Sequence, residues 1–234
     1  MKSRSNASTS ASAIRNTAVR RSKAVPAPPP SLTPTKKRTH RRSAEIIEAA
    51  AQVFAERGYH GATTQDIADV LNIRQASLYY YFPSKEVALE VVCMRGVDGF
   101  FDRARAIAEG PGTPSERLAA LMRAHIAPIL DRHNFMKVFL TQRQFLPAHS
   151  RRKVGKGSRG IETIFETVIR DGQRCGDFRK DADARIATLT LLSMLNGCAA
   201  WFGHEQVSLD RIGDQFVAFA LHGLGAGGAH GGQA

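Results

Sequence analysis

From residue 40 onward, apolar positions recur at the spacing of helices. Ile46, Ala49, Ala50, Val53 and Phe54 form an i, i+3, i+4, i+7, i+8 stripe, so a helix is expected over 40–57, closed by Gly58. Ile67, Ala68 and Leu71 then share one face of a short helix over 63–71. Its start is marked by Thr63 with Asp66 three residues on, a pair that satisfies orphan N–H groups. Asn72 stands where a sharp reversal needs a left-handed residue, which Asn tolerates. A helix over 74–81 follows, stopped by Pro83, and Ser84 caps a long one over 84–109. GPGTP at 110–114 breaks the pattern, and Thr113, Pro114 and Glu116 restart it with a capping box and a proline at the first helical position. Helices are expected over 114–131 and 134–145. The glycine-rich run RRKVGKGSRG at 151–160 delays the next one to 160–174, ending at Gly176. Asp181 or Asp183 caps a strongly apolar helix to about Phe202, and Ser208 caps a last one to Leu224. The fold class is all-α.

Two short helices joined by so tight a turn, at 63–71 and 74–81, form a helix-turn-helix unit whose second helix fits the DNA major groove. With Leu78 pointing into the core, Gln75, Ala76, Ser77, Tyr79 and Tyr80 point outward or toward the helix start. Such amide, hydroxyl, small and aromatic groups suit base edges, thymine methyls and phosphates. Lys85 opens the next helix, where a cation and free N–H groups suit a phosphate. The alternative is a helical pair with plain aromatic packing. Against it, Tyr79, Tyr80 and Tyr81 are adjacent and cannot all point inward.

Charge sharpens this picture only in part. The chain has 234 residues and a formal net charge of +12. Residues 1–44 hold 11 of the 33 Lys and Arg and no acid, so the remainder is close to neutral. A basic tail adds phosphate affinity that falls with salt. Residues 1–38, rich in Ser, Ala, Pro and Arg, have no composition for a core and are expected to be disordered. They read as a solvated arm, a functionless extension or, in composition, an organelle transit segment. Cys93, Cys175 and Cys198 are widely spaced with no CxxC, fitting a reduced cytosol, and no apolar run of 18 residues is present for a membrane span. A cytoplasmic location follows. The histidines show no metal spacing, no catalytic set is marked, and no cofactor is expected. Gly223, Gly225 and Gly228 match GxGxxG but follow a helix at the chain end, without the strand that a nucleotide site needs.

The flank makes the resemblance specific. Residues 41–89 resemble the DNA-binding domain of the TetR family, through Ala49-Ala50, Phe54, Gly58-Tyr59, Thr63-Thr64, Ile67-Ala68, Leu78-Tyr79, Phe82 and Ser84-Lys85. Asn72 replaces the usual Gly. The resemblance implies a helix-turn-helix head over 39–89, and a helical ligand-binding and dimerisation domain over 90–224 before a Gly-rich tail at 225–234. It also implies contacts to a palindromic double-stranded DNA operator through Thr64, Gln65, Arg74, Gln75, Ala76, Ser77, Tyr79, Tyr80 and Lys85. The apolar helix at 184–202 and the one after it suggest a homodimer through a four-helix interface, burial within a monomer being the alternative.

Residues 147–224 resemble ligand domains of TetR-type regulators that sense acyl-CoA esters in lipid or steroid breakdown. The matching pieces are Arg159-x-x-Glu162-x-x-Phe165, Gly172…Gly176-x-Phe178-Arg179 and Leu195-Asn196-x-x-Ala199-x-Trp201-Phe202. Ile161 and Phe165 stand where larger aromatics are usual. Independently, Arg151, Arg152, Lys153, Lys156 and Arg159 could meet phosphates, and Phe135, Phe139, Phe165 and Met194 could line an apolar cavity. The candidate ligand set is therefore Phe135, Phe139, Arg159, Phe165, Met194, Asn196 and Trp201. The expected function is a repressor released by a small-molecule effector, an acyl-CoA ester or else a drug-like or aromatic compound. A non-specific DNA binder driven by the tail is the further alternative.

Overall fold

The computed structural model describes residues 34–225. Most of the tail expected over 1–38, and the Gly-rich tail beyond Gly225, lie outside them. The chain folds as α1 (Pro34–Gly61), α2 (Thr64–Val70), α3 (Gln75–Tyr79), α4 (Lys85–Gly96), α5 (Phe100–Ala108), α6 (Pro114–Ile126), α7 (Pro128–Asp131), α8 (His133–Gln142), a 3-10 turn (Arg143–Phe145), α9 (Ala148–Cys175), α10 (Ala184–Trp201) and α11 (Leu209–Leu224). Among the described residues, pairing of strand type is limited to two isolated bridges.

Start signals read from the sequence act as expected. Thr63 accepts from the Asp66 N–H while Asp66 accepts from the Thr63 N–H, and Thr113 and Glu116 repeat that exchange. Ser84, Asp183 and Ser208 each accept from the backbone N–H three residues on. Gly58, at φ 68° and ψ 170°, takes the end of α1 out of helical geometry.

Two expectations are corrected. The single helix over 84–109 is two, because the helix breaks at Val97–Gly99, where Gly99 adopts φ 69°. Gly96 lets α4 close on α8: a Cβ there would sit 3.1 Å from the Phe135 carbonyl oxygen. The helix expected to begin near 160 begins at Ala148 and runs 28 residues through the glycine-rich segment. Each interior glycine costs roughly 1 kcal/mol in helix propensity. Burial of Ser150, Val154 and Ile161 offsets this, and Gly160 is required because the Phe101 ring occupies the place of its side chain.

Two apolar cores result. The first joins Ile46, Phe54, Ile67, Leu78, Phe82, Leu89 and Val92 to Phe135, Val138 and Phe139 of α8. The second is built from α6, α9, α10 and α11 around Leu118, Met122, Phe165, Ile169 and Leu195. So α8 closes the core of the N-terminal helices as well as belonging to the body. Ile186 and Leu189 of α10 and Phe219 of α11 remain exposed.

Candidate functional site

The turn between α2 and α3 forms because Asn72 takes φ 50°, the only non-glycine among the described residues with positive φ. This sets α3 across α2, with Leu78 fully buried and Phe82 nearly so. The outward side is open: Ala76, Ser77, Tyr79 and Tyr80 are exposed, Tyr80 by 82%, and so is Arg74 at the N-cap. Gln75 is half-buried and donates from Nε2 to Thr64 Oγ1 at 2.7 Å, with the Tyr79 hydroxyl 3.5 Å from the same oxygen. Thr64, Gln75 and Tyr79 thus form one polar cluster spanning both helices. Gln65 is exposed and donates to Asp69 Oδ1 at 2.6 Å. Bonds from Thr63 hold the Asp66 carboxyl below the usual range, and Arg57 pairs with it at 2.6 Å.

Lys85 is placed differently from its neighbours in the expected set. Its Nζ donates to the Tyr59 and Ala62 carbonyl oxygens, both at 2.9 Å, and lies 4.5 Å from the Tyr59 ring centroid. Two of its three donors therefore brace α4 against the end of α1, leaving one for a phosphate. Tyr59 completes the brace by donating its hydroxyl to Glu86 Oε1 at 2.7 Å, and burial with the Glu86 carboxylate pushes its pKa up to about 12.

Behind this head, α4, α5, α6, α8, α9 and α10 enclose a cavity of about 190 Å³. Phe100, Phe101, Met136, Phe139, Ile161 and Leu192 supply its apolar wall, and His125, Arg143, Ser158 and Asn196 its polar points. His125 Nε2 lies 3.0 Å from Asn196 Oδ1, and Phe100 and Phe165 meet the imidazole edge-on at 4.9 and 5.9 Å. Burial pushes the His125 pKa below its ordinary value, so the ring is neutral. Glu162 also reaches the cavity and is paired with Arg185 at 2.6 Å.

A helix-turn-helix head with an open reading face, set on a helical body with its own cavity, matches two family profiles. "Bacterial regulatory proteins, tetR family" covers residues 46–91, and "Tetracyclin repressor-like, C-terminal domain" covers residues 111–224. The chain belongs to the TetR family. TetR-family proteins are DNA-binding transcriptional regulators rather than enzymes. The repressor KstR2 of Mycobacterium tuberculosis is 28% identical over 185 residues, spanning 78% of this chain and 92% of the relative. The solved structure of KstR2, a ketosteroid transcriptional regulator, agrees with a TM-score of 0.74 at 27% identity, covering 79% of this chain and 95% of that one. Two more distant structures share the fold. AibR with isovaleryl coenzyme A and operator DNA has a TM-score of 0.69 at 23% identity, covering 76% of this chain and 97% of that one. FadR of Bacillus subtilis with stearoyl-CoA has a TM-score of 0.63 at 22% identity, covering 77% and 98%.

In this TetR-family chain the residues expected at a ligand site separate. Phe139 and Asn196 line the cavity. Phe135 is buried in the first core, and Phe165 in the second, where it backs His125 rather than facing the cavity. Met194 packs against the second core, Trp201 meets Phe216 edge-on at 6.3 Å, and Arg159 is exposed on α9. Sequence reading missed Phe100, Phe101, His125, Met136, Arg143 and Ile161. His125 carried a usable signal, as a histidine flanked by apolar residues on an amphipathic helix. The phenylalanines at 100 and 101 had none, since the break that aims them at the cavity was itself not read. Among the described residues no helix is long and apolar enough to cross a membrane.

Proposed function

We propose that the protein is a homodimeric repressor of genes for the breakdown of lipids or related acids, released from a palindromic operator by an acyl-CoA ester. The observation that carries the effector class is an apolar cavity with one cation, Arg143, in its wall. Gly157, Ser158 and Ile161 of α9 line the cavity. On the same helix the exposed Arg152, Lys156 and Arg159 lie on the face turned away from the cavity, so they are not part of its wall. An acyl group among the apolar side chains would leave the phosphorylated part of its headgroup to Arg143. AibR and FadR, each solved with an acyl-CoA, support the reading by fold. At about 190 Å³ the cavity is small for a ligand site, which favours a short or compact acyl group. The density of phenylalanine around it favours, as a second reading, a free aromatic effector.

Each subunit presents α3 to one half-site, with Gln75, Ala76, Ser77, Tyr79 and Tyr80 at the bases and Thr64, Arg74 and Lys85 at phosphates. The dimer forms through α10 and α11, whose Ile186 and Phe219 are 64% and 70% exposed in the single chain. Mobility shift on the DNA adjoining the protein's own coding region, with a panel of acyl-CoA esters and free aromatic acids, tests both halves. Release by an ester supports the first reading. Release by an aromatic acid alone supports the second. No shift at low salt with folded dimer would count against both.

A further inference from the structure

The cavity and the DNA-binding head are joined by four consecutive residues. Gln142 ends α8, and Arg143–Phe145 form the 3-10 turn after it. Arg143 faces the cavity. Its guanidinium stacks 4.8 Å from the Phe139 ring centroid and donates to Ser158 Oγ at 3.4 Å, and Phe139 and Ser158 line the same cavity. Arg143 therefore rests on cavity walls, on contacts that an occupant would disturb.

The other side of this turn holds the head. Gln142 Oε1 accepts from the Tyr59 N–H at 2.8 Å, across 83 positions of sequence. Gly58, with ψ 170°, turns that N–H out of the helical direction, so a side chain must satisfy it. Phe145 stacks on the Tyr59 ring, with centroids 5.6 Å apart and planes 14° from parallel, and meets His60 edge-on at 4.5 Å. From Tyr59 the contacts run straight to the reading unit. Lys85 binds the Tyr59 and Ala62 carbonyls, and Ala62 precedes Thr63, the cap of α2.

We propose that the segment Gln142–Phe145 is the relay through which occupancy of the cavity changes the posture of α2 and α3. An occupant that displaces Arg143 from Phe139 and Ser158 turns the 3-10 segment. That loosens the Gln142–Tyr59 bond and the Phe145–Tyr59 stack, and with them the brace that holds the head. Gln142 is outside the cavity wall and outside the expected DNA-contact set, so it is a positioning residue whose whole effect is coupling. The relay rests on the cavity being the effector site, and not on which effector fills it.

That independence sets the test. Gly157 lines the cavity, and a Cβ on it would meet nothing within 4 Å. Gly157→Phe in the full chain therefore fills the cavity without a ligand. Affinity for an operator selected on the wild-type protein is measured in a double-mutant cycle. Gly157→Phe is expected to weaken it by roughly ten-fold, the scale of ordinary allosteric coupling. In a Gln142→Ala background the same change should alter affinity by less than about two-fold. Gln142→Glu keeps an acceptor for the Tyr59 N–H and should restore the response. Hydrogen exchange at the Tyr59 amide, read on DNA-free protein, should quicken in Gly157→Phe, and Gly157→Leu serves both measurements if the larger side chain prevents folding. Equal responses in the wild-type and Gln142→Ala backgrounds, or Tyr59 protection unmoved by cavity filling, would overturn the relay. A cycle that holds while no acyl-CoA ester releases DNA keeps the relay and discards the acyl-CoA reading.

Discussion

Lys85 carries two duties that one side chain has to share. Its position at the start of α4 suits a phosphate, yet two of its protons are spent on the Tyr59 and Ala62 carbonyls. Lys85→Ala is therefore expected to do more than weaken binding to all DNA sequences and flatten the salt slope. It should also destabilise the free protein by about 1–3 kcal/mol, the loss of charge-assisted bonds to half-buried carbonyls. Urea unfolding without DNA separates the two, since a pure phosphate contact would leave the midpoint unmoved. His125 offers a second residue-scale test. Burial lowers its pKa in the fold, so the unfolded chain binds the proton more readily. Its stabilising contribution is complete above the ordinary histidine pKa and declines as pH falls below it, by at most about 1.4 kcal/mol per pH unit. Asp66, Glu86 and Glu90, with pKa values lowered by their hydrogen bonds, lose their contributions only further down, in the carboxylate range. Urea midpoints at pH 7 and pH 5.5 should therefore differ more for the wild type than for His125→Gln.

Elements were legible in the sequence wherever their signal was local. The capping pairs at Thr63 and Thr113, the Asn72 turn and the stops at Gly58 and Gly176 act within a few residues, and each ends or starts a helix at the expected place. Glycine misleads twice, for one physical reason. The run at 155–160 resembles a loop, and Gly96–Gly99 looks tolerable inside a helix, until the partner across the gap is known. At Gly160 that partner is the Phe101 ring and at Gly96 the Phe135 carbonyl. The cavity is hidden from the sequence by the same ambiguity, because it opens where α5 and α9 meet. Contrasting substitutions along α9 follow. Gly155 has open space where a Cβ would go, so Gly155→Ala should stabilise by about 0.5–1 kcal/mol through helix propensity alone. Gly160→Ala drives a methyl into the Phe101 ring and should destabilise by about 1–3 kcal/mol. Thermal melts of the two variants should move in opposite directions.

At the scale of the whole molecule, the exposed apolar residues of α10 and α11 define the expected contact between subunits. A double change, Ile186→Glu with Phe219→Glu, places like charges on that self-complementary face. Light scattering should then give a monomer mass where the wild type gives a dimer, and operator affinity should fall by orders of magnitude, because one head alone reads one half-site. Unchanged helical content by circular dichroism would show that the variant lost its partner and not its fold. A wild-type monomer, or a variant that stays dimeric, would remove α10 and α11 as the interface.

The sharing of α8 between the two cores has a practical consequence for synthetic regulators. Phe135, Val138 and Phe139 lie well beyond α4 in the chain, yet they fill the space between α1 and α4. Cutting the chain after α4, or grafting its N-terminal helices onto a foreign sensor, would remove that filling and open a void under the reading helices. New specificity is better installed by replacing single outward side chains on α3 than by exchanging heads, because here the head is not a portable part.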